Sequence, residues 1–178
     1  ERLGYYEIVE SNNERLLQLI NEILDLSKIE SGIVEFTITP VRLHPLCKEI
    51  HDAHIFRCPK GVELIYEPSD ENIVIDGDKN RIFQVISNLI GNAFKFTPAG
   101  YISYGYHREG KYVAFHVTDT GMGIAPDKVD RIFERFVKVN NFAQGTGLGL
   151  SICKTIIERL GGNISVTSEV DKGTTFIF

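Results

Sequence analysis

The stretch QVISNLIGNAFK, residues 84–95, carries polar side chains at a spacing that suits binding chemistry. On a helix, Gln84, Asn88, Asn92 and Lys95 would lie within about 80° of one another. Asparagine is a mediocre helix former, because its amide competes for nearby backbone groups, so a pair in mid-helix needs a reason. The opposite half of the helix is apolar: Ile82, Phe83, Val85, Ile86, Leu89, Ile90, Ala93, Phe94 and Phe96. We expect the polar face to meet a ligand; the structural alternative is a buried amide network.

A second motif, VTDTGMGI at residues 117–124, runs from a predicted strand into Asp119 and then into a loop with Gly121 and Gly123. A carboxylate at a strand end can accept a hydrogen bond from an exocyclic amine such as that of adenine. Glycines let the backbone approach a flat ligand. Asp-Thr-Gly is also the signature of aspartic proteases, and the structural alternative is a capped turn. Taken alone, the motif leaves all three interpretations open.

A third motif, QGTGLGL at residues 144–150, is a glycine-rich loop that opens a predicted helix. Free backbone N–H groups at such a helix start can hold phosphate. The motif does not match GxGxxG, because residues 150 and 152 are Leu and Ile, and it lacks the GK[ST] ending of a P-loop. A flexible linker is the alternative interpretation.

The composition limits the class of protein. The chain has 178 residues, of which 43% are hydrophobic and 24% charged, which suits one core-forming domain with an appended element. A net charge of -5 argues against non-specific binding to nucleic acid. Cys47, Cys58 and Cys153 are odd in number and far apart, so we expect a reducing cytosol and no disulfide framework. No apolar run reaches transmembrane length, and because Met122 is the only methionine, we expect a fragment of a longer protein.

Apolar residues at three-to-four spacing predict one long amphipathic helix from Tyr5 to about Ile29, ended by Ser31 and Gly32. Its stripe consists of Tyr5, Val9, Leu16, Leu19, Ile20, Ile23 and Leu26. The stripe needs a partner on the following domain, on a segment outside this sequence or on another copy.

The remaining sequence predicts an α+β fold, a two-layer α/β sandwich. Alternating patterns predict strands at VEFTITPV, VELIY, NIVID, ISVTS and TTFIF, and a hairpin of YISYGYH and KYVAFHV across Glu109 and Gly110. Helices are predicted from Leu43 to about Phe56, from the N-cap Asp78 through QVISNLIGNAFK, around Pro126–Phe136, and from about Gly147 to Leu160.

The order of these motifs resembles the N, G1, F and G2 boxes and the final Gly-Thr strand of the GHKL (Bergerat) ATP-binding fold. The matching segments are the Asn helix, DTGMGI, IFERF at 132–136, QGTGLGL, and KGTTF at 172–176. More narrowly, NLIGNAFKFT and GTGLGLSICKTIIERLGG resemble the catalytic domain of sensor histidine kinases, especially of the hybrid type. The opening helix, which ends DLSKIESG, resembles the second helix of the dimerisation and phosphotransfer hairpin. The resemblance implies hairpin residues 1–32 and a catalytic ATP-binding domain at 33–178.

The resemblance also implies roles for individual residues. Asn92 matches the Mg²⁺-coordinating amide, Asn88 helps complete the metal and phosphate shell, and Lys95 meets phosphate, so these three are the expected catalytic residues. Asp119 matches the adenine-reading carboxylate, and Thr174 matches the hydroxyl that bridges to it through water. Phe133 and Phe136 match the box that anchors the lid. The other expected nucleotide-binding residues are Gly121, Gly123, Ile124, Gly145, Thr146, Gly147, Leu148, Gly149 and Leu150. Arg135 and Lys138 are weaker candidates, for which a solvated helix end is the alternative.

The sequence departs from the family pattern at two places. Gln84 stands where many histidine kinases carry a Glu one turn before the first Asn, and an amide cannot act as a general base. The expected lid between Phe136 and Gly145, VKVNNFAQ, is short, which limits how much protein can cover a nucleotide.

The phosphoacceptor is expected to precede Glu1. The five histidines, His44, His51, His54, His107 and His116, all lack the acceptor context of the family. Cys47, His51, His54 and Cys58 share a helical stripe too long, at about 16 Å, for four ligands to converge on a metal.

The resemblance implies a kinase that binds Mg·ATP and transfers its γ-phosphoryl group to a histidine for relay to a response-regulator receiver domain. It also implies a homodimer through the opening helix, no nucleic-acid partner and a cytoplasmic domain, with an inner-membrane anchor left open for the whole protein. The alternatives are a GHKL-type ATP hydrolase and a nucleotide-binding docking module without catalysis. In the hydrolases a Glu that activates water stands where this chain has Asn88.

Overall fold

The chain begins with one long helix, α1 (Arg2–Glu30), as its apolar spacing predicts. The structure, a computed structural model, describes residues 2–33, 35–69, 72–138 and 145–178, and in α1 it describes every side chain except those of residues 2–8, 11, 14 and 15. Gly32, with a φ of 72°, follows the helix end, and its N–H donates to the carbonyl of Ile29 at 3.2 Å. Among the described residues, no helix combines the length and the apolarity that a bilayer crossing needs.

Among the described side chains of α1, those at its C-terminal end are buried in the core, and Leu19 packs against the core at its edge. Leu26 and Ile29 are buried there, and Ile29 is fully inaccessible. Other apolar side chains of the helix remain exposed: Val9, Leu16, Leu17, Ile20, Ile23 and Leu24. The following domain therefore covers Leu19, Leu26 and Ile29 of the stripe and leaves Val9, Leu16, Ile20 and Ile23 exposed.

A five-stranded sheet forms one layer, in the order β2-β4-β5-β7-β6. Its strands are β2 (Val62–Glu67), β4 (Gly100–Glu109), β5 (Tyr112–Asp119), β6 (Ser165–Glu169) and β7 (Gly173–Ile177). β2 runs parallel to β4, and the other neighbours are antiparallel. Glu109 pairs with Tyr112, which confirms the predicted hairpin, with Gly110 and Lys111 as its loop.

A separate two-stranded sheet is formed by β1 (Thr39–Arg42) and β3 (Val74–Gly77), which pair antiparallel. The predicted strand VEFTITPV was wrong in extent, because residues 35–38 are not in a strand and Val34 lies outside the described residues. Thr39 pairs with Gly77, and the next residue, Asp78, is already the N-cap of α3. Residues 35–38 therefore have no strand to pair with. The predicted strand NIVID therefore belongs to this small sheet rather than to the main sheet.

The helices form the second layer. They are α2 (Leu43–His54), followed by a single 3-10 turn (Ile55–Arg57), α3 (Lys79–Phe96), α4 (Pro126–Val129) and α5 (Gly149–Arg159). The predicted N-cap of α3 is confirmed, since the Asp78 carboxylate accepts the backbone N–H of Arg81 at 3.1 Å. Helix and sheet side chains fill one core between the layers, including Leu46, Ile50, Ile86, Leu89, Ile90, Ile102, Tyr104, Ile152 and Ile156. The predicted two-layer α/β sandwich is confirmed.

The predicted helix from Pro126 to Phe136 is only one turn long, α4, and the chain then continues in turns. Phe136 has a φ of 62°, which is incompatible with a continuing α-helix. Its N–H donates to the carbonyl of Gly147 at 2.9 Å instead of to a helix carbonyl. The N–H of Phe136 is thus bonded to the glycine-rich loop and is not available for a helical hydrogen bond.

Replacement of Ile29 tests whether the end of α1 is part of the core. Ile29→Ala should lower the free energy of unfolding by about 2–5 kcal/mol, because it removes fully buried methyl groups and leaves a cavity. Leu16→Ala, on the exposed middle of the same helix, should change it by less than about 0.5 kcal/mol. Urea denaturation of both variants measures the difference, and equal effects would mean that α1 does not pack on the domain.

Candidate functional site

The polar face of α3 opens into a cavity of about 370 Å³. Asn88, Asn92 and Lys95 line this cavity, as the spacing of QVISNLIGNAFK predicts. The opposite face of α3 is buried through Ile82, Val85, Ile86, Leu89, Ile90 and Ala93. Burial of that face fixes the rotation of the helix, so the two amides and the ammonium group are held toward the cavity.

Asp119, the last residue of β5, lies in the wall of the cavity and is only 8% exposed. The backbone N–H of Gly121 donates to its Oδ1 at 2.8 Å. Burial raises the pKa of the Asp119 carboxyl above its usual range, although hydrogen bonds from the backbone of Gly121 and Thr174 oppose this shift. A carboxylate has about four acceptor positions, so Asp119 keeps capacity for the amine of a ligand.

Backbone segments pack tightly around Asp119 because two nearby residues lack a side chain. A Cβ on Gly121 would overlap the carbonyl oxygen of Phe96. A Cβ on Gly123, whose φ is 66°, would overlap the carbonyl oxygen of Glu169. Only glycine therefore fits at these two positions of DTGMGI, which brings the loop backbone to the cavity wall.

β7 and β6 complete this side of the cavity. Thr174 lies opposite Asp119 in the register of β5 and β7 and lines the cavity. Its hydroxyl is 2.9 Å from the hydroxyl of Ser168, which also accepts the N–H of Ile124 at 2.8 Å. Ser168 thus ties the DTGMGI loop to the strand that carries Thr174.

The described part of the glycine-rich loop, residues 145–150, forms another wall. Gly147 has a φ of 79°, and a Cβ there would lie 2.8 Å from the carbonyl carbon of Phe136. The hydroxyl of Thr146 accepts the N–H of Leu148 at 3.3 Å. A Cβ added to Gly145 would lie 3.7 Å from Lys95 Nζ, so the glycine-rich loop and the ammonium group of α3 are neighbours.

Helix α1 contributes a wall that the sequence motifs do not reveal. Gln18 and Glu22 line the cavity, and the Thr146 hydroxyl donates to the Glu22 carboxylate. Arg135 forms an ion pair with Glu30, and Arg159 Nη2 donates to the Glu30 carbonyl at 2.9 Å. These contacts fasten α1 to the glycine-rich loop and to α5.

A second crevice lies between α1 and α3. It shares Gln18, Glu22 and Asn88 with the cavity, and it also borders Gln84 and Asp25. Gln84 Nε2 donates to the Asp25 carboxylate at 3.4 Å. The polar face of α3 is therefore divided, with Asn88 between the cavity and the crevice.

Most of the residues predicted to bind a nucleotide line the one cavity: Asn88, Asn92, Lys95, Asp119, Gly123, Ile124, Gly145, Thr146, Gly147, Gly149, Leu150 and Thr174. Three predicted residues lie behind its walls. Gly121 supports Asp119 through its N–H, and Leu148 is fully buried. Phe133 packs edge-on against Phe176, with ring centroids 6.2 Å apart.

Sequence reasoning missed Gln18, Glu22, Arg57 and Ser87, which also line the cavity. Ser87 adjoins Asn88 on α3, and its buried hydroxyl has no hydrogen-bond partner in the described part of the chain. A wider polar sector on the helical wheel would have included it. The other three depend on how α1 and the turn after α2 dock, which no local pattern reveals.

The two weaker candidates have different positions. Lys138 lines the cavity, whereas Arg135 pairs with Glu30. Phe136 is 60% exposed beside the glycine-rich loop. The expected lid, VKVNNFAQ, lies largely outside the described residues, which resume at Gly145.

The chemistry of the lining suits an anionic ligand with a flat, amine-bearing group. Asp119 offers a hydrogen-bond acceptor, Lys95 and Lys138 offer positive charge, and Ser87 offers an unused hydroxyl. Within residues 2–33, 35–69, 72–138 and 145–178, no three His, Cys, Asp or Glu side chains converge as a metal site. A hard cation could use the amide oxygens of Asn88 and Asn92, with its other ligands supplied by the bound molecule and water.

Two groups of known proteins resemble this chain in sequence. It is 34% identical over 189 residues to the autoinducer 2 sensor kinase/phosphatase LuxQ of Vibrio parahaemolyticus, covering 99% of this chain and 22% of that protein. It is 39% identical over 176 residues to the sensor histidine kinase RcsC of Escherichia coli, covering 93% and 18%. The chain therefore spans about a fifth of the length of these relatives.

Solved structures resemble the fold over nearly the whole chain. Full-length ShkA in complex with AMPPNP matches with a TM-score of 0.87 and 32% identity, covering 98% of this chain and 37% of that one. The histidine kinase ThkA in complex with the response regulator protein TrrA matches with a TM-score of 0.78 and 28% identity, covering 98% and 49%.

The family model for histidine kinase-, DNA gyrase B- and HSP90-like ATPases matches residues 77–178, more than half of the chain. The match begins just before α3 and includes the Asn face, DTGMGI and the glycine-rich loop. The chain belongs to this family of histidine kinase-, DNA gyrase B- and HSP90-like ATPases.

Proposed function

We propose that this chain is the ATP-binding catalytic region of a sensor histidine kinase, which transfers the γ-phosphoryl group of Mg·ATP to a histidine outside this sequence. The observation that carries the proposal is that Asp119 and Asn92, from different elements, line the same cavity. One offers an acceptor for an exocyclic amine, and the other offers an amide oxygen for a metal held by phosphates. The resemblance to sensor kinases such as LuxQ and RcsC supports the assignment.

In this proposal Asp119 reads adenine. Its carboxylate accepts the exocyclic amine, while Thr174 adds a hydroxyl on the facing strand, where a water can bridge to the base. Gly123 and Ile124 form the adjoining wall. Guanine presents a carbonyl where Asp119 needs a donor, so the site should reject GTP.

The phosphates and the metal would lie along α3. Asn92 and Asn88 would hold Mg²⁺ through neutral amide oxygens, and Lys95 and the loop backbone at Thr146 would meet phosphate oxygens. The unpartnered hydroxyl of Ser87 supplies a further donor in the same cavity. When bound, Mg²⁺ neutralises charge that develops on the phosphate oxygens during transfer.

The transfer itself requires mainly positioning by the protein. An imidazole nitrogen of the acceptor attacks the γ-phosphorus and forms a P–N bond. The bond from that phosphorus to the bridging oxygen breaks, and ADP leaves with the electron pair. The part of this chain is to orient the triphosphate so that the bond to be broken faces the acceptor.

Transfer to histidine is favoured over hydrolysis because Asn88 and Gln84 are amides, which cannot take a proton from water. The Glu22 carboxylate also lines the cavity, but it is engaged by the Thr146 hydroxyl. Because Glu22 is a carboxylate in this cavity, a GHKL-type ATP hydrolase is kept as the second candidate. A docking module without catalysis would not need the Asn88, Asn92 and Lys95 face that this cavity presents.

Residues 1–32 are proposed to be the second helix of a dimerisation and phosphotransfer hairpin, and residues 33–178 the catalytic domain. The exposed apolar side chains of α1, including Leu16, Ile20 and Ile23, suit packing against the acceptor helix of the same protein and against a second copy. A response-regulator receiver domain would take the phosphoryl group from the histidine, with TrrA bound to ThkA as a precedent in another protein. The domain would work in the cytoplasm, where ATP is available.

Asp119→Asn should weaken ATP binding by at least about tenfold, because an amide can present its NH₂ group to the adenine amine. The same change should raise the thermal unfolding midpoint at pH 7. The raised pKa of Asp119 means that the folded state holds its proton more tightly than the unfolded state, so stability falls as pH rises through that pKa. The amide removes this penalty and keeps an oxygen for the Gly121 N–H.

Calorimetric titration and thermal melts between pH 3 and pH 8 measure the two effects. Asp127→Asn, on the exposed α4, is the control and should change neither. Unchanged ATP affinity in Asp119→Asn would contradict adenine reading. A lower midpoint at pH 7 with no dependence on pH would contradict the burial penalty.

The chain alone should bind ATP without labelling itself, because an ATP site without an acceptor held in line leaves only slow leakage to water. Adding a separate hairpin that carries the acceptor histidine should produce stable label from γ-labelled ATP on the hairpin. Asn92→Ala should abolish this label through loss of a metal ligand. Asn80→Ala, exposed at the start of the same helix, should retain it.

A hairpin whose acceptor histidine is replaced by glutamine controls for transfer to other groups. Stable label on the chain itself would mean that one of its own five histidines accepts phosphate. Release of inorganic phosphate without label on either component would favour the hydrolase.

A further inference from the structure

A cation outside every recognised motif lines the cavity. Arg57 is the last residue of the 3-10 turn that follows α2, and it lies 38 residues before Lys95 in the sequence. Its side chain borders the same cavity as Asn92, Lys95 and Asp119. Neither the Asn helix nor the two glycine motifs predict this position.

The turn that carries Arg57 is anchored to α3. The preceding His54 is buried, and its Nδ1 lies 2.8 Å from the carbonyl of Ile50. The His54 ring packs beside Phe83 and Phe94 of α3, with centroids 6.4 Å away in each case. This packing fixes the backbone of the turn next to the helix that carries Asn92, so Arg57 reaches the cavity from a fixed base.

Three cations from three parts of the chain line the cavity: Arg57 from the turn, Lys95 from α3, and Lys138 from the segment after α4. Their charged side-chain groups form no ion pair or hydrogen bond with another residue that the structure describes. Like charges that face one space repel, so this arrangement is most stable when an anion occupies that space.

Two acidic residues, Glu22 and Asp119, also line the cavity. Glu22 accepts the Thr146 hydroxyl, and Asp119 accepts the Gly121 N–H. The lining thus holds three cations against two acidic residues, and none of the three cations is paired with either acid, so one positive charge remains in excess for a ligand. Among the three cations, only Arg57 has a planar guanidinium, which can bind two phosphate oxygens at once.

We propose that Arg57 is a further nucleotide-binding residue, whose guanidinium contacts the phosphate chain of the bound nucleotide together with Lys95. This inference rests on the proposed function, because it names a second cation for the same ATP site. Adenosine has no phosphate, so Arg57 contributes to the binding of ATP and ADP and not to the binding of adenosine.

Isothermal titration of native chain, Arg57→Ala and Arg57→Lys with ATP, ADP and adenosine tests the assignment. Arg57→Ala should weaken ATP binding by roughly tenfold and leave adenosine binding unchanged, since a hydrogen-bonded ion pair is lost only from the phosphates. Arg57→Lys should recover part of the loss, because it restores the charge without the planar fork. Lys60→Ala, an exposed cation three residues away that does not line the cavity, should bind like the native chain.

The outcomes separate this inference from the proposed function. If the native chain binds no ATP, the proposed function fails. If the native chain binds ATP and Arg57→Ala binds it equally well, the role of Arg57 is overturned while the function stands. Equal losses for ATP and adenosine would also overturn it, because they would mean that Arg57 shapes the pocket. Arg57→Gln is a second uncharged variant, and thermal melts of all variants check that the fold is intact.

Discussion

Burial of one carboxylate, Asp119, is the constraint on which the site depends. The last residue of β5 keeps an acidic group in the wall of a cavity, where desolvation raises its pKa and backbone hydrogen bonds from Gly121 and Thr174 hold its orientation. The surrounding backbone can come this close only because Gly121 and Gly123 carry no side chain. A buried carboxylate lowers the stability of the fold, but it can accept a hydrogen bond from a ligand. This combination is expected of a site that recognises a ligand.

Helix α3 connects the core to this recognition site. One face is packed against the sheet and fixes the helix, and the opposite face presents Asn88, Asn92 and Lys95 to the same cavity that Asp119 lines. The end of α1 closes part of that cavity through Glu22 and is held by Glu30 and by the buried Ile29. A segment proposed to belong to the phosphotransfer hairpin thus touches the glycine-rich loop directly, so movement of α1 would change the shape of the nucleotide site.

Local patterns in the sequence predicted the parts of the fold that local forces determine. The N-cap Asp78, the hairpin across Gly110 and the one-sided packing of α3 follow from capping, turn geometry and periodicity, and they are confirmed. The extent of β1 and the single turn of α4 depend on tertiary partners, a four-residue strand and the carbonyl of Gly147. Gln18, Glu22 and Arg57 reach the cavity only through docking of distant elements, so no motif could have indicated them.

The central claim is that one cavity reads adenine at Asp119 and holds a metal and phosphates along the Asn face of α3. Calorimetric titration of the chain with ATP, in Mg²⁺ and in EDTA, tests it most directly. Neutral amides make a metal site only with ligands from the phosphates, so the metal and the nucleotide should strengthen each other's binding. ATP should therefore bind clearly more tightly in Mg²⁺ than in EDTA. Equal affinity under the two conditions would contradict the claim.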